Sequence, residues 1–108
     1  MVRSLFVNLP VADVARTRAF FAGLGFAFNP QFSDDKALCL VVNEHIHCML
    51  LDRRYFQTFT HLPVADAGAA TQVLLALQLD RREAVAEMVA QAVALGGRTP
   101  NPPKDHGF

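Results

Sequence analysis

The chain has 108 residues, zero formal net charge and 52% hydrophobic residues. That suffices for one domain with a true core, and it gives no electrostatic reason to bind nucleic acid or an anionic membrane. The longest unbroken apolar runs, such as 37–42, fall far short of a membrane span. The N-terminus shows no signal-peptide pattern, and Cys39 and Cys48 both sit in apolar runs. The expectation is a cytoplasmic protein with buried, reduced thiols rather than a disulfide.

Leu5, Val7 and Leu9 alternate with Phe6 and Asn8, which predicts a strand with one apolar face. Asp13 is placed to cap a helix whose stripe runs Val14, Thr17, Phe21 and Leu24, with Gly25 to end it. Phe26 to Phe28 is a short strand closed by Asn29-Pro30. Two apolar runs, 37–42 and 45–51, flank Asn43-Glu44 and predict a hairpin. Residues 53–71 read as a connector with an aromatic patch, Tyr55, Phe56 and Phe59.

The pattern then restarts. Residues 72–79 predict a strong strand, Asp80 with Glu83 a capping box, Val85, Met88, Val89 and Ala92 a helical stripe, and Gly96-Gly97 its end. Asn101-Pro102 follows, as Asn29-Pro30 follows the first helix. The skeleton indicates a duplicated strand–helix–strand unit. A repeated pentapeptide, LPVAD at 9–13 and 62–66, is read as coincidence, because the second copy lacks a strand before it and an amphipathic helix after it. At Phe108 the second unit still lacks the hairpin that the first one has, so a missing C-terminal segment is expected. The reading is an α+β fold with module one at about 1–52, a connector at 53–71 and a partial module two at 72–108.

The stretch Asn8-Leu9-Pro10-Val11-Ala12-Asp13, with Phe20-Phe21 and Leu24-Gly25-Phe26 downstream, resembles the opening of the vicinal oxygen chelate superfamily. That superfamily includes glyoxalase I, the bleomycin resistance proteins and the extradiol dioxygenases. Phe21 stands where the family usually has Tyr, and Asp105-His106-Gly107-Phe108 looks like the entry to its next strand. The resemblance implies tandem βαβββ modules, the second incomplete in this chain. It identifies a fold better than a reaction.

In metal-dependent members two strands of each module present one ligand apiece. The resemblance puts those positions at Phe6, at or near Leu50, and at Leu74, with the fourth beyond Phe108. Apolar side chains cannot donate a lone pair, so no metal or cofactor is expected; a divalent metal ion is the alternative. His45 and His47 share a strand face and, with Glu44 or Cys48, invite a metal reading. If Leu50 faces the cavity, however, the alternation turns both histidines away from it. The same alternation nominates a pocket lining of Phe6, Asn8, Ile46, Cys48, Leu50, Leu74, Ala76 and Gln78. Such a cavity suits an uncharged or aromatic ligand. Alternatively these residues are sheet core, with Asn8 and Gln78 hydrogen-bonded within it.

Cys48 could be a nucleophile, but it has no base in register and its apolar setting favours an inert thiol. His106 is a general base or a solvent-facing residue of the tail. Tyr55, Phe56 and Phe59 cap the cavity or pack the connector, and Arg53-Arg54 and Arg81-Arg82 read as solvated surface. No catalytic residue is assigned. The leading expectation is a metal-independent protein that sequesters a small molecule. Its rivals are a metal-dependent lyase or isomerase of the glyoxalase type, an extradiol-type dioxygenase, and a regulatory module whose cavity is filled by its own side chains. The open sheet edge of an incomplete second module, and the family's habit of pairing modules, predict a homodimer.

Overall fold

The computed structural model describes residues 1–99; the tail that carries His106 lies outside the described residues. The chain forms two compact units, Met1–Ala76 and Leu77–Phe108. In the first, β1 (Leu5–Val11), α1 (Val14–Gly23), β2 (Ala27–Phe28), β3 (Ala37–Val41), β4 (Ile46–Asp52) and α2 (Arg53–Gln57) follow in chain order. Strand, helix and three strands give one complete βαβββ module. The sheet order is β1-β4-β3-β2, with β1 parallel to β4 and the other pairs antiparallel.

Local chemistry explains each boundary. The Asp13 carboxylate accepts the Arg16 N–H at 3.0 Å and starts α1. Gly25, at φ +95°, ends it, with its N–H on the Ala22 carbonyl and the Phe26 N–H on the Phe21 carbonyl. That pair of bonds is a Schellman cap, and the rings of Phe21 and Phe26 meet across it at 5.8 Å. The β3–β4 turn is organised by Asn43, whose Oδ1 accepts from the N–H groups of His45 and Ile46. Asp34 does the same at the entry to β3, accepting from Lys36 and Ala37.

The main core cluster lies on one face of this sheet, while Ala37, Cys39 and Leu51, of the opposite parity, are buried on the other. In the main cluster Leu38, Leu40, Cys48 and Leu50 are buried, with Val7, Leu9 and Val11 of β1 and Val14 and Phe21 of α1 packed on them. Helix α1 is amphipathic because its apolar stripe is spent on this contact.

In the second unit α3 spans Arg82–Ala94. It ends as α1 does: Gly96 sits at φ +104°, its N–H on the Val93 carbonyl and the Gly97 N–H on that of Ala92. Its start differs from expectation. Arg81 is the N-cap and makes no side-chain cap bond, so Asp80 stands one residue too early to reach the first turn, where Glu83 lies instead. The strand expected at 72–79 does not form either. Residues 72–78 are exposed, Leu74 at 87%, and no ladder among the described residues takes them up. High β-propensity expresses a fit to a half-buried pleated surface, and here the segment has no such surface. Among the described residues no helix is long and apolar enough to cross a membrane.

Candidate functional site

The side of the sheet away from α1 is open. Strand alternation puts Phe6 and Asn8 of β1 on this side, and the parallel register sets them beside His47 and Met49 of β4. The Phe6 and His47 rings stack there, 4.6 Å apart and inclined by 10°. A cavity of about 390 Å³ opens on this face. Asn8, Ala37, Met49 and Leu51 form its floor. One wall is the turn carrying Gln31, Phe32, Ser33 and Asp34; the other carries Tyr55 and Phe59.

Each wall is braced. Asn29 caps the short Pro30–Phe32 turn by accepting the Gln31 N–H, and the Ser33 hydroxyl donates to the Asn29 carbonyl and accepts the Cys39 N–H. Opposite, Asp52 caps α2 by accepting from Arg54 and Tyr55, and the Tyr55 and Phe59 rings meet edge to face at 5.1 Å. The chain beyond is tied back by two side chains. Arg53 donates to the carbonyls of Val64 and Ala65, and Gln57 donates to those of Thr60 and Leu62 while accepting the Val64 N–H. Arg53 is therefore a structural clamp and not the idle surface charge expected from sequence. The second LPVAD copy is held as loop, neither strand nor helix.

The eight residues nominated for the lining separate in space. Asn8 lines the cavity, and Phe6 shares its face. Cys48 and Leu50 lie in the core beneath α1, and Ile46 has their parity. Leu74, Ala76 and Gln78 are exposed and line no part of the cavity. The cause is parity: pairing Phe6 with His47 puts the odd-numbered residues of β4 on the open side, so the even-numbered set faces the helix. His47, expected to turn away, is on the cavity's face, whereas His45 is exposed in the turn beside Glu44 at 3.3 Å. Met49, Phe32 and Asp34 line the cavity without any sequence expectation, whereas Tyr55 and Phe59 belong to the aromatic patch expected to cap it or to pack the connector. The signals that could have found the first three were the parallel register and the Asp-capped turn at 34.

Two properties bear on chemistry. Burial raises both thiols above their ordinary value, for Cys39 against an opposing hydrogen bond from the Asn29 backbone, so neither is poised as a thiolate nucleophile. The superfamily's divalent metal does not fit the donor set of this face. Phe6 offers no lone pair, its ring covers that of His47, and no three His, Cys, Asp or Glu side chains gather among the described residues. The Nδ1 atom of His47 is buried without a partner, but one imidazole is not a chelate.

Comparison with known proteins agrees with this architecture. Residues 3–43 match the family model described as bleomycin resistance protein-like N-terminal. A hypothetical protein from S. aureus superimposes with a TM-score of 0.80 at 23% identity, over 99% of this chain and 80% of that one. A glyoxalase/bleomycin resistance protein/dioxygenase family enzyme from Burkholderia phytofirmans PsJN superimposes with a TM-score of 0.61 at 19% identity, over 84% of this chain and 71% of that one. No curated protein matches the chain. Residues 3–43 are thus similar to a bleomycin resistance protein-like N-terminal segment, and the chain shares its fold with both solved structures.

Proposed function

We propose that this protein binds and sequesters a small aromatic molecule in the cavity on the open face of its sheet, without metal chemistry. The observation that carries this reading is the cavity itself: about 390 Å³, with Phe32, Tyr55 and Phe59 at its walls and Met49 and Leu51 in its floor. A volume of this size suits a ligand of one or two rings. Aromatic and thioether surfaces held by capped turns give such a ligand flat contacts at little entropic cost. Asn8, with one amide N–H on the Phe6 carbonyl, supplies a fixed polar group in the floor.

Ligand-observed NMR with benzyl alcohol and naphthol as probes tests the reading. Binding should appear in the wild-type chain and weaken in Asn8→Ala and Met49→Ala. Binding that survives both substitutions would move the site elsewhere. Stoichiometric zinc, nickel, iron or manganese in protein purified without chelator would overturn the metal-independent part in favour of a glyoxalase-type lyase or a dioxygenase.

We also propose that the protein is a homodimer. β1 is an edge strand, and Leu5 and Phe6 on it are exposed. A monomer in sedimentation at micromolar concentration would contradict this.

A further inference from the structure

The cavity's rim has a composition that narrows the ligand class. Asp34 contributes a carboxylate to the lining, and among the described residues no lysine, arginine or histidine lines it. Its Oδ1 accepts both N–H groups of its own turn, from Lys36 at 2.8 Å and Ala37 at 2.9 Å. This fixes the carboxylate against the backbone through Oδ1, at an exposed position on the rim. Phe32, Tyr55 and Phe59 line the same opening and keep much of their surface in solvent, Phe59 as much as 68%. Exposed aromatic rings and a carboxylate lining one cavity attract positive charge twice over, through the ring quadrupoles and through the ionised oxygen. They offer an anion nothing. An uncharged ligand would use the rings and leave the carboxylate idle.

We propose that the ligand is an aromatic cation, with its ring over Met49 and Leu51 and its ammonium or amidinium group at Asp34 between Phe32, Tyr55 and Phe59. The inference rests on the cavity reading above and deepens it. Asp34 is a specificity residue: it selects among ligands of one shape by their charge.

Benzylammonium, benzyl alcohol and benzoate share a ring and differ in charge, so titrating each by calorimetry isolates the effect. Benzylammonium should bind tightest and benzoate weakest. Asp34→Asn keeps an oxygen for the turn's N–H groups, and should weaken benzylammonium roughly fivefold, lowering its preference over benzyl alcohol. Phe59→Leu, at an exposed position, preserves apolar contact without the ring and should narrow the preference for benzylammonium over benzyl alcohol. Benzyl alcohol binding as tightly as benzylammonium, or an Asp34→Asn chain with undiminished preference, would overturn the charge selection and leave the cavity reading standing. Failure of all three probes to bind at millimolar concentration would overturn both.

Discussion

The two faces of the sheet are built from the same strands and follow opposite rules. On the side of α1, Leu38, Leu40, Cys48 and Leu50 are buried, with Val7, Leu9, Val11 and Phe21 packed against them. On the other side Phe6, Asn8, His47 and Met49 support a cavity whose walls come from turns rather than from a second layer of regular structure. One face is packed by its own residues. On the other, Ala37 and Leu51 are buried in the floor of an opening whose rim is exposed, so that face combines residues that hold the fold with residues that the proposed ligand would touch.

Substitutions on the two faces should divide the same way. The largest effect is expected at Leu38, which is fully buried: Leu38→Ala should lower stability by about 3 kcal/mol in chemical denaturation, with the affinity of the folded fraction unchanged. Gly25→Ala attacks the helix that covers this face. Its Cβ would meet nothing within 4 Å, so the cost of about 1–2 kcal/mol is the strain of the left-handed backbone alone. Asp13→Ala removes the cap at the other end of α1 and should cost about 1 kcal/mol, seen as a shifted thermal midpoint. On the open face, Phe59→Ala should change stability by no more than about 0.5 kcal/mol and still weaken an aromatic probe. A loss of stability at Phe59 as large as that at Leu38 would erase the distinction between the faces.

A pH titration offers the smallest and most diffuse check. Burial raises both thiols, so folding favours their neutral form. That contribution is complete below the thiol value of the unfolded chain and is lost as pH rises through the higher folded values. Stability should therefore decline on the alkaline side of the ordinary thiol range, and less so in Cys48→Ala. A Cys48→Ala chain with an unchanged alkaline slope would remove Cys48 from this account.

Most local signals in the sequence hold, the Asp80 cap excepted, and the larger departures come from parity and from partners. Asp13, Gly25, the Asn43 turn and Gly96 act over one to four residues, and each behaves as its chemistry dictates. The face of β4 is a different matter. Ile46 to Leu51 is apolar throughout except for His47, so alternation within the strand cannot say which set looks inward. Only the parallel register with β1 decides it, and that is a contact between residues about forty positions apart. Anchoring on Leu50 therefore reversed the whole strand. One cavity wall was harder still, because Phe32 and Asp34 reach the site through a turn that a hydrophobic pattern does not describe. Residues 72–79 failed for want of a partner. Their composition is that of a strand, but a ladder is a property of two segments.

The loop after α2 is fastened almost entirely through main-chain carbonyls, by Arg53 and Gln57. Carbonyls are common to every amino acid, so the clamp does not read the identities of the residues it holds. Apart from Thr58 and Thr60, whose hydroxyls bond within the loop, and Phe59, whose ring meets Tyr55, the segment 58–65 is thereby tolerant of change provided that its length is kept and the two clamping side chains remain. The module thus has an exchangeable cassette at the mouth of its cavity, where descendants of one ancestor could acquire different ligands without renegotiating the fold.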